Sequence, residues 1–167
     1  MSETDDNLRE AFAGESQAYQ RYLFFADKAG DEGQPQVARL FRAAAEAEKV
    51  HAGNFFSIMD GVGSSKDNLL AGSIGEHYEF TRVYPSFIEK AQEDRSEWAQ
   101  IYFEYANEVE KIHHDLFQRA LKVLEAGQQL EGIPYFVCPV CGNTVEGKAP
   151  DTCPICGAPG DMFKRVE

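Results

Sequence analysis

Cysteine is nearly absent from this chain of 167 residues: there are four in all, and every one lies beyond Leu130. A framework of disulfides is therefore excluded for most of the molecule. Basic charge is in deficit, with 16 Lys and Arg against 28 Asp and Glu and a formal net charge of −12, which argues against nucleic-acid binding. No stretch approaches the roughly 20 apolar residues of a membrane span. Met1 to Asn7 is acidic and polar, without the apolar h-region of a secretion signal, so a cytoplasmic protein is expected. What remains is a chain long enough for one bundle of about 125 residues and a small appendage.

The first 126 residues repeat themselves. Glu15 lies 33 residues before Glu48-Lys49-Val50-His51, and Glu76 lies 34 residues before Glu110-Lys111-Ile112-His113. Gly14-Glu15 is followed by Tyr19 and Arg21, Gly75-Glu76 by Phe80 and Arg82 at the same offsets. Phe41 and Ala44 precede the first Glu-x-x-His by the same steps as Phe103 and Ala106 precede the second. One helical hairpin is used twice, and each copy offers a Glu plus a Glu-x-x-His.

Four apolar stripes at 3.6-residue spacing carry these residues. They are Leu8, Ala11, Phe12, Ala18, Tyr19, Tyr22 and Leu23; Val37, Leu40, Phe41, Ala44, Ala52, Phe55 and Ile58; Leu69, Phe80, Val83, Tyr84 and Phe87; and Ala99, Tyr102, Phe103, Ala106, Val109, Phe117 and Leu121. Glu15, then Glu48 and His51, then Glu76 and Glu79, then Glu110 and His113 fall in phase with them. A single Glu on such a stripe is usually a boundary residue whose head group reaches water. Five carboxylates and two imidazoles directed at one core need a counter-charge, and a dinuclear cation supplies it. A Glu from each of two helices with a Glu-x-x-His from each of the others is the ligand set of ferritin-like di-iron or di-manganese bundles. Glu46 and Glu108 sit two residues before a ligand, about 200° round the helix, and are expected in solvent. His77 and His114 are off-phase and are not expected to ligate. Gly30 and Gly33 are expected to follow the first helix, Pro35 to open the second, Gly61 and Gly63 to follow it, and Gly127 to follow the fourth. Pro85 should kink the third.

Gly127 to Pro134 reads as a polar linker. Beyond it come Cys138-Pro-Val-Cys141-Gly and Cys153-Pro-Ile-Cys156-Gly. Two such knuckles suit a tetrahedral S₄ site, which accepts iron or zinc, and so short a segment needs a metal staple to fold. Two disulfides are the competing reading, disfavoured without a secretion signal.

From about Asn7 to Glu167 the chain resembles the rubrerythrins. Gly14-Glu15, Glu48-x-x-His51, Glu76-x-x-Glu79, Tyr84-Pro85, Glu110-x-x-His113 and both Cys-x-x-Cys-Gly knuckles carry the likeness. One departure is Asn143, where rubredoxins usually have an aromatic. The resemblance implies a mainly α protein: a ferritin-like di-iron four-helix bundle over residues 1–129, then a rubredoxin-like Fe(Cys)₄ domain with short β-strands and knuckle turns over 130–167. It implies a cytoplasmic peroxidase that reduces hydrogen peroxide in oxidative-stress defence. Electrons from NAD(P)H would arrive through rubredoxin or another donor protein at the iron held by Cys138, Cys141, Cys153 and Cys156, and pass to the di-iron site. It further implies that Glu79, whose counterpart in the first hairpin is Ala18, ligates one iron when oxidised and that His51 replaces it on reduction. Tyr22 and Tyr84 are the expected hydrogen-bonding partners of the ligands, or else ordinary core aromatics. A ferroxidase or iron-handling protein on the same bundle is the alternative function; an inert scaffold with a zinc ribbon is the third.

Chain length adds one expectation. In a ferritin-like bundle helices two and three run the same way, so their connection must return along the bundle. Only 24 residues separate His51 from Glu76. The return needs roughly 30 Å at about 1.5 Å per helical residue, whereas Gly61 to Ser65 spans at most about 18 Å. Unwinding helix three to Leu70 would make closure barely possible, at the cost of exposing Leu69 and Leu70. The alternative, a domain-swapped homodimer, is expected, each site taking Glu15, Glu48 and His51 from one protomer and Glu76, Glu79, Glu110 and His113 from its partner.

Overall fold

The structure, a computed structural model, describes residues 2–166; Met1 and Glu167, the outer ends of the two expected domains, lie outside the described residues. It divides into two compact units, Met1–Gly63 and Ser64–Glu167.

The first unit is a helical hairpin of α1 (Glu3–Asp31) and α2 (Pro35–Ile58). Ser2 and Asp5 start α1 with a capping box: the Asp5 amide donates to Ser2 Oγ at 3.2 Å and the Ser2 amide to Asp5 Oδ2 at 2.7 Å. Gly30 lies within the last turn of α1 rather than after it, and Gly33, at φ 71°, makes the reversal into Pro35. The helices bury small residues, Ala18, Ala26 and Ala29 on α1 and Ala38, Ala45 and Ala52 on α2. The seven-residue spacing of the α2 alanines makes a narrow seam along one line of the helix. This seam shares only Ala52 with the stripe read in the sequence, of which Val37, Leu40 and Ile58 are exposed. α2 ends in a Schellman-type cap. The Gly61 amide donates to the Phe56 carbonyl at 2.9 Å, and Asp60 takes φ 52°. A Cβ on Gly61 would stand 2.3 Å from the Phe56 ring, so no larger residue fits there without displacing it.

The second unit begins with another capping box, Ser64 with Asp67, which opens α3 (Ser65–Tyr78). A π-helical turn (Glu79–Val83) joins α3 to α4 (Tyr84–Glu93), and α5 (Glu97–Glu125) follows. Pro85 sits just after the π turn. The Tyr84 amide reaches back five residues to the Glu79 carbonyl, so the helix widens ahead of Pro85 instead of simply bending at it. Gly127, at φ 72°, terminates α5 as expected.

The remainder is a three-stranded antiparallel sheet in the order β2–β1–β3: β1 (Tyr135–Val137), β2 (Thr144–Glu146) and β3 (Lys164–Val166). Its core is Cys138, Cys153, Ala158 and Phe163, too little apolar surface to hold some 30 residues unaided. Among the described residues no helix is long and apolar enough to cross a membrane.

Candidate metal centres

The second unit gathers Glu76 from α3 with Glu110 and His113 from α5, one ligand atom of each lying within 4.8 Å of the others. The i, i+3 spacing puts Glu110 and His113 on one helical face, with His113 Nδ1 2.7 Å from Glu110 Oε2. The other ring nitrogen is engaged as well. His113 Nε2 lies 3.0 Å from Thr144 Oγ1, whose hydroxyl donates to the Gly142 carbonyl at 3.1 Å, and the ring also hydrogen-bonds the Gly142 backbone. Nδ1 thus faces the carboxylates and donates to Glu110, while Nε2 is engaged by Thr144. Thr144 was not among the residues singled out from sequence, and Gly142 was read only as the knuckle glycine.

Glu79 opens the π turn and belongs electrostatically to the same group. Burial, then the charge of Glu110, raises the pKa of Glu76, with Glu79 adding to it and His113 opposing. Burial and Glu110 likewise raise Glu79, while a hydrogen bond from Tyr84 pulls it back. Tyr84 itself is raised, by burial first and then by Glu79, Glu110 and Glu76. His113 is raised, chiefly through its hydrogen bond with Glu110. Three carboxylates crowd one imidazole, a donor set whose charge a cation would neutralise.

The π turn also explains a one-residue mismatch between the hairpins. Tyr22 follows Glu15 by seven residues, and Tyr84 follows Glu76 by eight. The wider turn absorbs the extra residue and returns Tyr84 to the ligand face, where its hydroxyl reaches Glu79. Tyr22 packs against Phe25 and Phe41, with ring centroids at 6.2 and 6.0 Å.

In the first unit Glu15, Glu48 and His51 form the equivalent group, again with ligand atoms within 4.8 Å. His51 Nδ1 is 2.9 Å from Glu48 Oε2 and 3.8 Å from Glu15 Oε1. The Glu-x-x-His geometry thus recurs in both halves. Ala18, where the second hairpin has Glu79, is buried in the helix seam. Glu46 and Glu108 pair with Lys49 and Lys111 in solvent, as expected of residues off the ligand face. His77 and His114 join neither group. His114 Nδ1 lies 2.9 Å from Ser73 Oγ, and Gln118 donates to the same hydroxyl at 2.6 Å, which ties α3 to α5.

The four cysteines are free and converge, with Cys138 Sγ to Cys156 Sγ and Cys141 Sγ to Cys153 Sγ both at 3.6 Å. A tetrahedral ion bound at about 2.3 Å sets sulfurs about 3.8 Å apart, so the cage fits a single ion and no disulfide is formed. Gly142 and Gly157, at φ 85° and 77°, give each knuckle its left-handed turn. Burial opposes ionisation of Cys153, yet the amides of Cys156 and Ile155 outweigh it and bring its pKa down to about 6; burial pushes the Cys141 thiol up. Asn143, 1% exposed, sends its side-chain amide toward Cys153 Sγ at 3.7 Å. An aromatic ring could not make that contact.

These donor sets fit iron. Carboxylates with imidazole suit a hard dinuclear pair, and the S₄ cage suits a rubredoxin-type ion. Comparison with known proteins agrees. A family model described as Rubrerythrin matches residues 6–121, and one described as Rubrerythrin, rubredoxin-like domain, matches 136–164. Rubrerythrin-2 of Clostridium acetobutylicum is 35% identical, over 96% of this chain and 95% of that protein. Nigerythrin of Nitratidesulfovibrio vulgaris is 34% identical, over 98% and 86%. Nigerythrin solved in its fully reduced, all-ferrous state superposes with a TM-score of 0.59 at 33% identity, covering 99% of this chain and 88% of that one. With both modules matched in order along nearly the whole chain, this protein belongs to the rubrerythrin family and carries its two centres, a di-iron site and an Fe(Cys)₄ site.

Proposed function

We propose that this chain is a cytoplasmic non-haem peroxidase that reduces hydrogen peroxide to two waters in oxidative-stress defence. Two electrons and two protons are consumed per peroxide. The electrons start from NAD(P)H, pass through rubredoxin or another donor protein served by an NAD(P)H oxidoreductase, and enter at the Fe(Cys)₄ site. That site passes one electron at a time, so two transfers complete a turnover. When bound, the two irons of the bundle supply both electrons in one place and act as Lewis acids on the peroxide oxygens.

One observation carries the redox reading: the short bridge from Cys141 through Gly142 and Thr144 to His113 Nε2. It links a thiolate ligand to an imidazole of the bundle by one peptide segment and one hydrogen-bonded step. A protein that only stores iron has no use for such a link.

The proposed di-iron ligands are Glu15, Glu48, His51, Glu76, Glu79, Glu110 and His113; residues 1–129 form the catalytic domain and residues 130–167 the relay. Thr144 and Gly142 hold His113 with Nδ1 toward the metal. Glu79 and His51 would be alternative holders of one iron, the anion suiting the ferric state and neutral imidazole the ferrous one. The Tyr84 hydroxyl steadies Glu79 and holds a proton beside the reacting oxygens, and Tyr22 serves the first hairpin. Steady-state turnover with a rubredoxin reductase as electron source, comparing hydrogen peroxide with dioxygen, tests this. Peroxide should be the faster oxidant by at least about tenfold, about 1.4 kcal/mol on the barrier. Preferential dioxygen consumption with net iron uptake would instead indicate a ferroxidase.

A further inference from the structure

The two knuckles of the cysteine cage share one backbone plan. In the first, the Cys138 amide donates to the Asn143 carbonyl and the Gly142 amide to the Cys138 carbonyl, both at 2.9 Å. In the second, the Cys153 amide donates to the Ala158 carbonyl at 2.7 Å and the Gly157 amide to the Cys153 carbonyl at 2.9 Å. The backbone amides of Asn143 and Ala158 also hydrogen-bond the sulfurs of Cys141 and Cys156, respectively. Asn143 and Ala158 thus hold equivalent places, and the second knuckle shows that the backbone there needs no more than alanine. The first knuckle nevertheless carries a buried amide. Asn143 is 1% exposed, in a domain whose buried core is otherwise Cys138, Cys153, Ala158 and Phe163. Its Nδ2 lies 3.7 Å from Cys153 Sγ, and its Oδ1 finds no hydrogen-bond partner among the described residues. A buried amide with one orphaned end is costly. A thiolate sulfur only accepts, so the N–H end faces Cys153 and the carbonyl end is the one left over. At the equivalent place in the other knuckle Ala158 has no donor to offer.

We propose that Asn143 raises the reduction potential of the Fe(Cys)₄ site through its side-chain hydrogen bond to Cys153. It is a positioning residue, acting on the iron through one of its thiolates. Four thiolates give the cage one net negative charge with ferric iron and two with ferrous iron. An N–H dipole aimed at a sulfur therefore stabilises the reduced form more than the oxidised one, and hydrogen bonds to the sulfurs are among the levers that set such potentials. The orphaned Oδ1 is the structural penalty of placing that donor in an apolar core. For the relay, the consequence is an easier entry step: one electron from the donor protein converts ferric to ferrous iron with a larger driving force. The proposal deepens the relay role given to this site and rests on iron in the cysteine cage.

The test is Asn143→Leu, which keeps the side-chain volume and removes the amide. The full-length, iron-loaded protein and the variant are titrated anaerobically against redox dyes while the red ferric–thiolate absorption is followed. The equilibrium constant for reducing the site with a given donor should fall about tenfold, about 59 mV for one electron, and the ferric–thiolate bands should shift. A change of less than about threefold, or a rise in potential, would overturn the proposal. If the leucine variant does not assemble the cage, Asn143→Ala introduces the residue that position 158 already accepts. It should lower the potential too, and an unchanged or higher value would overturn the proposal equally. A colourless wild type with zinc in the cage would sink the iron reading and the proposal with it. Neither measurement uses peroxide, so a failure of the peroxidase reading is seen separately.

Discussion

Replacing Glu79 with alanine separates a peroxidase from a symmetric di-iron site. The side chain opens the π turn, half-buried, with the Tyr84 hydroxyl donating to it. Burial and the Glu110 charge both disfavour its ionised form, so the metal-free protein loses a repulsive neighbour along with one hydrogen bond. That hydrogen bond is worth about 1 kcal/mol net. In a chain of 167 residues this corresponds to roughly 2–4 °C in Tm, and relief of the repulsion offsets part of it. The metal-free Tm should therefore move by less than about 3 °C. Both irons should remain, because the other six proposed ligands, Glu15, Glu48, His51, Glu76, Glu110 and His113, are untouched. Turnover is expected to fall about 10–100-fold, the range found when a group tuning a metal site is removed, or about 1.4–2.7 kcal/mol on the barrier. The assay is steady-state peroxide consumption paired with stopped-flow reoxidation of the reduced protein and metal analysis of the same sample. Turnover within about twofold of wild type would refute the role given to Glu79, and loss of an iron would refute the claim that the other six suffice.

Cys141→Ser should abolish the red ferric–thiolate colour and the NAD(P)H-linked activity, while a chemically reduced bundle still consumes peroxide in a single turnover; losing that reaction too would show the centres are inseparable. Thr144→Val removes one hydrogen-bond partner of His113 Nε2 and leaves the Gly142 carbonyl, so internal electron transfer should slow by about tenfold at unchanged single-turnover peroxide reduction. Equal slowing of both steps would place Thr144 in peroxide chemistry rather than the relay. The metal-free protein should become less stable as pH rises from about 4 to 8. Glu76 and Glu79 have raised pKa values when folded, so the native state holds more protons than the unfolded one and unfolding free energy falls as they ionise. His113, also raised, contributes stability that is full below its unfolded pKa and lost as pH rises through the folded one. Urea titrations of metal-free protein across that range would expose the opposite slope if the carboxylates were not crowded.

The two Glu-Glu-His groups that the structure gathers were legible in the sequence, because each Glu and His sits in phase on an apolar stripe and the whole pattern occurs twice. Pro35 and Gly127 marked helix boundaries through backbone constraints that do not depend on packing. Gly30 did not, because glycine in a last helical turn costs little and the reversal fell to Gly33. The π turn escaped a 3.6-residue reading, since one extra residue only shifts the phase; its trace was the unequal spacing of Tyr22 and Tyr84 from their glutamates. Nothing local could show that Thr144 meets His113, 31 residues earlier in the chain. The exposure of Val37, Leu40 and Ile58 was hidden for a related reason: periodicity names an apolar face but not what covers it.

The most direct test of the account is an anaerobic titration of the fully reduced, metal-analysed protein with hydrogen peroxide. Iron should fill both kinds of site, and each molecule of peroxide should oxidise one di-iron centre within the mixing time, with no hydroxyl radical trapped. The colour of the Fe(Cys)₄ site should return only after that, as its electron follows through His113. A reduced protein that ignores peroxide but is oxidised at once by dioxygen, or one that carries zinc in the cysteine cage, would contradict it.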